Sequence, residues 1–240
     1  VVFDRPLEGV VLDIDGTLIS LSKGIGEIYS ELLAEHGVIA NPDHLNDVTR
    51  RVWTAFQPEY LNSNDQNRTT HDREKSAWLS FVRQVLHQAG LPYAHDDQLI
   101  ESIYDAFATS RFRRIEPGVE SFLRAVQGAG LRAYAATNND VRSRTVLEAI
   151  GLKALLSGVY VAGDIGWKKP SHNYYHALRE QIGVPAEKLL HIGNDQHLDV
   201  RVPIECGWRA ALYDSKSRGP EPRFVSFEEL SRSFEARGER

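Results

Sequence analysis

The sequence predicts an α/β fold: a Rossmann-like core of parallel strands with helices on both faces, interrupted once by an all-helical insert. Three observations carry that expectation. Residues 9–14 form a short apolar run that reads as a buried strand. After "IEPGVE" (115–120), helical and strand-like periods alternate, the pattern of a parallel sheet covered by helices. Between these parts, residues 20–111 carry four helical stripes and no convincing strand.

Taken in order, Ile25, Ile28, Leu32 and Leu33 keep helical spacing as far as Gly37. Asn41 and Pro42 form a helix start, a capping residue followed by a proline in the first turn. Leu45, Val48, Val52 and Phe56 then share one face. The polar stretch 62–70 leads to a third stripe of Trp78, Phe81, Val82, Val85 and Leu86, ending at Gly90. Leu99, Ile103, Tyr104 and Phe107 make the fourth. A helix over 118–128 stops at Gly128 and Gly130, and a strand over 131–137 follows. Next come a helix over 140–150, a strand over 158–162, and a helix over 171–182 that ends at Gly183. A strand over 189–193, a short helix near 199–206, a strand over 209–213 and the amphipathic tail "FEELSRSFEAR" complete the pattern. The expected organisation is a core of residues 1–19 and 112–240, with 20–111 as the helical insert.

Composition narrows the function. A chain of 240 residues suits one large domain or a core with an insertion. Its 42% hydrophobic and 25% charged residues are ordinary for a globular protein. A net charge of −5 argues against a nucleic-acid binder, which carries a basic footprint. The single cysteine, Cys206, excludes an internal disulfide and fits a reducing compartment. No apolar run approaches the roughly 18 residues of a membrane span, and the first residues lack a signal-peptide pattern. The expectation is a cytoplasmic protein that engages neither membrane nor nucleic acid.

The chemistry gathers where ligands bind in open parallel sheets, at the carboxyl ends of the strands. The first strand ends in Asp13-Ile14-Asp15-Gly16-Thr17, the second in Thr137-Asn138-Asn139-Asp140. Lys168 and Lys169 follow the third, and Asn194, Asp195 and Asp199 the fourth. These carboxylates, hydroxyl, amide and lysine suit a hard cation held through oxygens and a phosphoryl group clamped beside it. Period-2 alternation turns Asp13 and Asp15 to one side while Ile14 packs away.

The set resembles the haloacid dehalogenase-like superfamily. "DIDGT" is similar to its first motif, "ATNN" to its second, "KKP" to its third and "GNDQHLD" to its fourth, and the likeness spans the chain, with the helical insert in the place of a cap domain. The resemblance implies Asp13 as a nucleophile forming an aspartyl-phosphate and Asp15 as general acid and then base. Thr137 and Lys169 would hold phosphate oxygens, and Gly16, Thr17 and Asn138 would complete the substrate contacts. Mg²⁺ would lie among Asp13, the carbonyl of Asp15 and the fourth motif. Members that cleave carbon–halogen bonds lack an acid at the second position, because halide leaves without a proton. Asp15 therefore favours hydrolysis of a small phosphorylated metabolite. A phosphomutase using the same chemistry and a non-catalytic binding protein are the alternatives.

The fourth motif departs from the family. An acidic residue usually follows its glycine, where this chain has Asn194. Either Asn194 gives a neutral oxygen to Mg²⁺, or Asp195 replaces it, or the protein has lost catalysis. Asp199 stands in the expected second position. Other features carry plainer readings. His172 and His176 are surface histidines, Cys206 is a small core residue, and Trp53 and Trp78 belong to a core or interface. "RFRR" (111–114) is a solvated basic run that could also meet an anionic substrate.

Overall fold

A computed structural model of the chain describes residues 6–61, 66–214 and 223–238. Its main sheet has six strands: β1 (Gly9–Leu12), β4 (Arg132–Thr137), β5 (Gly158–Val161), β6 (Leu189–Gly193), β7 (Arg209–Tyr213) and β8 (Arg223–Phe224). They lie in the order β5-β4-β1-β6-β7-β8, and every pairing is parallel. Leu12 sits opposite both Ala135 of β4 and Ile192 of β6. The chain builds outward from β1 on one side and then returns to build on the other. This places the crevice of a topological switch point beyond the carboxyl ends of β1, β4 and β6.

Strand alternation splits the core in two. Val10, Leu12, Ala133, Ala135, Leu190 and Ile192 meet Phe122, Leu147 and Phe227 on one face. These come from α5 (Val119–Gly128), α6 (Arg142–Ala149) and α10 (Phe227–Gly238). Val11, Tyr134, Ala136 and Leu189 face the other way, against Tyr174, Leu178 and Val202. These belong to α8 (His172–Ile182) and α9 (Val202–Glu205). A short helix, α7 (Ala162–Ile165), follows β5. The α/β fold with helices on both faces is as the sequence predicts.

Between β1 and α5 lie α1 (Ile25–Glu35), α2 (Pro42–Leu61), α3 (His71–Gln88) and α4 (Asp97–Ala106), where four stripes were expected. They pack around an apolar cluster that includes Ile28, Leu33, Val48, Val52, Val85 and Ile103. No described residue of that cluster belongs to either cluster of the main sheet. Three strands depart from the sequence reading, the first being β8, two residues added in parallel beside β7. β2 (Ile19–Leu21) pairs antiparallel with β3 (Arg113–Ile115), so Ser20 and Leu21 are strand residues within a stretch expected to hold none. Three residues per strand are too few to show a period, and long-range pairing creates them. The short helix expected near 199–206 begins earlier, as a π turn over Gln196–Arg201, because Asp195 caps its first backbone N–H groups. The polar stretch at 62–70 lies partly outside the described residues. Among the described residues, no helix is long and apolar enough to cross a membrane.

Candidate active site

The parallel ladder brings Asp13, Lys169 and Asp199 together at the crevice. The amide of Asp13 donates to the carbonyl of Ile192 at 2.8 Å, extending the β1–β6 pairing by one residue. Ile14 then turns into the core, fully buried, and Asp15 returns to the same side as Asp13. Lys169 Nζ lies 2.8 Å from Asp13 Oδ1 and 2.7 Å from Asp199 Oδ1. Asp199 also meets His191 Nε2 at 3.1 Å and accepts from the amide of Asp195 at 3.1 Å. Gly193 permits this approach, since a Cβ there would lie 2.3 Å from the Asp199 carboxylate carbon.

Two buried carboxylates share one ammonium, and their electrostatics diverge. Burial pushes Asp13 up to about 7, with Lys169 opposing the rise and Asp199 adding to it. Burial acts the same way on Asp199, but Lys169 and His191 outweigh it and hold the group below the usual carboxylate range. Burial works against the charge of Lys169, yet Asp13 and Asp199 more than compensate and keep it protonated.

Asp15 is held from two directions. Arg113 Nη1 donates to Oδ1 at 2.9 Å and Asn139 Nδ2 to Oδ2 at 2.5 Å. Neither partner was among the expected site residues. Arg113 belongs to the "RFRR" run, and Asn139 follows the two residues singled out at the end of β4. Their composition offered a signal, but nothing local showed that they converge on Asp15. His191 was missed as well; a histidine inside the apolar run "LLHIG" was the available sign.

Apart from Thr17, the site residues expected from the sequence line one cavity of about 540 Å³. Thr17 is fully buried, with its hydroxyl 3.4 Å from Asp13 Oδ2. Asn138 turns its side chain to the backbone of Lys169, accepting from the amide at 2.7 Å and donating to the carbonyl at 3.0 Å. In this arrangement the Thr17 hydroxyl contacts Asp13 and the Asn138 side chain holds the Lys169 backbone. Thr137 is buried, and its hydroxyl accepts from the amide of Asn139 at 3.1 Å. Gly16 adopts φ +81°, and a Cβ on it would lie 2.2 Å from Asn194 Nδ2. The left-handed backbone, which L side chains rarely adopt, is what favours glycine at this position. Asp195 Oδ1 accepts from the amides of His197 and Leu198, each at 2.8 Å.

The donor set fits Mg²⁺. Asp13, the carbonyl of Asp15 and the Asn194 amide offer oxygens, whereas among the described residues no group of three His, Cys, Asp or Glu forms a ready metal cage. Mg²⁺ is commonly held by one or two carboxylates, with water and substrate phosphate completing the shell. Asp199 lies in the same cavity, with its oxygens in contact with Lys169, His191 and the amide of Asp195.

The remaining features sort clearly. His172 and His176 are exposed, and His172 pairs with Glu205 at 3.0 Å. Cys206 is half-buried, and burial pushes its thiol up to about 11, which disfavours the reactive thiolate. Trp53 and Trp78 pack together as expected for a core or interface, but they also line the cavity above Asp13.

A family model for haloacid dehalogenase-like hydrolases matches residues 7–207. Haloacid dehalogenase-like hydrolase domain-containing protein 3 of Bos taurus is 26% identical over 212 residues, covering 88% of this chain and 81% of its own length. A phosphoglycolate phosphatase of Cereibacter sphaeroides is 25% identical over 208 residues, covering 86% and 85%. The crystal structure of a defluorinating L-2-haloacid dehalogenase shares the fold at TM-score 0.78, with 15% identity and 96% of each chain covered. The motifs on one sheet edge, the parallel fold and the family match agree, and the chain belongs to the haloacid dehalogenase-like hydrolases.

Proposed function

We propose that this hydrolase is a Mg²⁺-dependent phosphatase that cleaves a small phosphate monoester through a phospho-Asp13 intermediate. The observation that carries the reading is Asp15: a second carboxylate faces the same cavity as Asp13 and is held by Arg113 and Asn139. Halide needs no proton to leave, but an alkoxide does. An acid in this position therefore favours phosphate esters over the carbon–halogen chemistry of the structural neighbour. The phosphoglycolate phosphatase relative supports the same direction.

In this mechanism an Asp13 oxygen attacks phosphorus, the P–O bond to the alcohol breaks, and Asp15 gives its proton to the departing oxygen. Asp15, now a carboxylate, takes a proton from water as that water attacks phospho-Asp13, releasing phosphate and restoring Asp13. Lys169 keeps positive charge beside Asp13 and lessens repulsion between carboxylate and phosphate. Asn138 fixes the Lys169 backbone. Mg²⁺, when bound by Asp13, the Asp15 carbonyl and Asn194, supplies further charge neutralisation to the phosphoryl oxygens. Residues 20–111 serve as a cap that closes over the reaction and excludes water. The lone Cys206 fits a cytoplasmic setting.

The test is phosphate release from an aryl phosphate and an alkyl phosphate with Mg²⁺, beside halide release from a 2-haloacid. Wild type should release phosphate only. Asp13→Asn should abolish turnover. Asp15→Asn should slow it about 10²–10⁴-fold, less for the aryl ester because a good leaving group needs less protonation. Halide release without phosphate release would overturn the reading.

A further inference from the structure

The cavity above Asp13 exceeds what a phosphate group needs, and much of its wall is aromatic. Trp53, Tyr60, Trp78, Phe81, Phe107 and Tyr29 line it. Trp53 and Trp78 stack with ring centroids 6.1 Å apart and planes 10° from parallel. Phe81 stands nearly perpendicular to both, at 5.9 and 5.8 Å. Such a wall presents ring faces and edges at fixed angles, a surface suited to another ring.

Its charges make a second selection. The cationic side chains among the described lining residues are Arg113, Arg142 and Lys169. Arg113 is engaged by Asp15 at 2.9 Å and Arg142 by Asp140 at 2.9 Å. Lys169 is engaged by both Asp13 and Asp199. Arg142 also lies 3.8 Å from the centre of the Tyr104 ring. An acidic group on the alcohol portion of a substrate would lose its hydration here and would have to compete with Asp15, Asp140, Asp13 and Asp199 for cations those carboxylates already engage. An uncharged ring would lose little hydration and gain apolar burial and ring contacts.

We infer that the cavity selects phosphate monoesters whose alcohol carries an uncharged carbocyclic or heteroaromatic ring, and disfavours those with a second acid, such as phosphoglycolate. The inference names the substrate class of the phosphatase site and rests on that reading for its chemistry. The preference itself is one of binding and can be measured without turnover.

The experiment compares kcat/KM for 2-naphthylmethyl phosphate, ethyl phosphate and phosphoglycolate with Mg²⁺. Alongside, calorimetry compares binding of the non-hydrolysable 2-naphthylmethyl and ethyl phosphonates. The naphthylmethyl compounds should be favoured at least tenfold in both measurements. Trp53→Leu, which retains apolar bulk, should cut both ratios at least fivefold, and Trp53→Phe should restore much of the loss. Hydrolysis with no aromatic preference overturns this inference and leaves the phosphatase reading standing. A strong phosphonate preference without hydrolysis of any ester supports the cavity preference and overturns the phosphatase reading. Equal binding of the two phosphonates, or a Trp53→Leu ratio equal to wild type, overturns the inference.

Discussion

Arg113 donates to Asp15 at 2.9 Å across 98 residues of chain, joining β3 to the loop after β1. This contact places the proposed proton donor under the control of the strand that leaves the helical segment. Arg113→Met should let the carboxylate swing and lower kcat about 10–100-fold, since small displacements of a catalytic group can cost this much. Arg113→Lys should recover part of it. The aryl-to-alkyl rate ratio should stay close to wild type, because Asp15 remains present, whereas Asp15→Asn should raise that ratio. Steady-state rates on both esters decide this, and an unchanged kcat in Arg113→Met would remove the positioning role.

Metal-free stability should carry the signature of Asp13. Burial raises its carboxyl to about 7, whereas an unfolded aspartate titrates near roughly 3.9. The native state therefore holds this proton more tightly. The group's stabilising contribution is full below the unfolded value and is lost as pH rises through about 7. In chelator, wild type should melt higher at pH 6 than at pH 8, by a margin that Asp13→Asn lacks. Mg²⁺ should narrow the margin at pH 8 by taking the proton's place. Identical pH dependence of Tm in the two proteins would show that Asp13 is not the titrating group.

Asn194 and Asp195 can be separated by metal titration. Asp195 caps the π turn through two 2.8 Å bonds, and asparagine caps about as well as aspartate. Asp195→Asn should thus keep the turn and change Mg²⁺ affinity little. Asn194→Asp adds a charge at a proposed metal ligand. Coulomb attraction to a divalent ion at a partly wet site amounts to about 4 kcal/mol per unit charge, before desolvation is subtracted, so Mg²⁺ should bind roughly 10–100-fold more tightly. Phosphate should bind more weakly, repelled by the same charge. The reverse pattern would assign the metal to Asp195, and unchanged affinity in both variants would leave neither side chain as a ligand.

Lys168 leads away from the site and toward α3. It lies 3.3 Å from Glu74 and 3.6 Å from the centre of the Tyr60 ring. Glu74 is buried, and it also accepts from the hydroxyls of Tyr60 and Thr69. Lys168→Met should leave that carboxylate without its cation and destabilise the protein by about 3–5 kcal/mol. Adding Glu74→Gln should return most of the loss. Urea unfolding of the two variants tests the coupling, and a double variant no more stable than Lys168→Met would disprove it.

Much of this protein was legible from sequence because the relevant rules are local. Period-2 alternation turns Asp13 and Asp15 to one side of Ile14, and parallel strands place their carboxyl ends on one edge. Asp13, Thr137 and Asp199 could therefore be placed on that edge from their positions after strands, whereas Lys169 was chosen over Lys168 by the proline that follows it and by the family resemblance. Tertiary structure decided which groups those residues meet. The adjacent Lys168 and Lys169 look alike in sequence, yet one reaches Glu74 and the other reaches Asp13 and Asp199. The amide of Asn138 turns to the Lys169 backbone, Arg113 crosses to Asp15, and Trp53 lines the cavity. These outcomes depend on how the helices sit against the sheet edge and on ion pairs between distant segments. Local spacing specifies a residue's face, but a partner some 100 residues away is chosen by packing and charge in the folded chain.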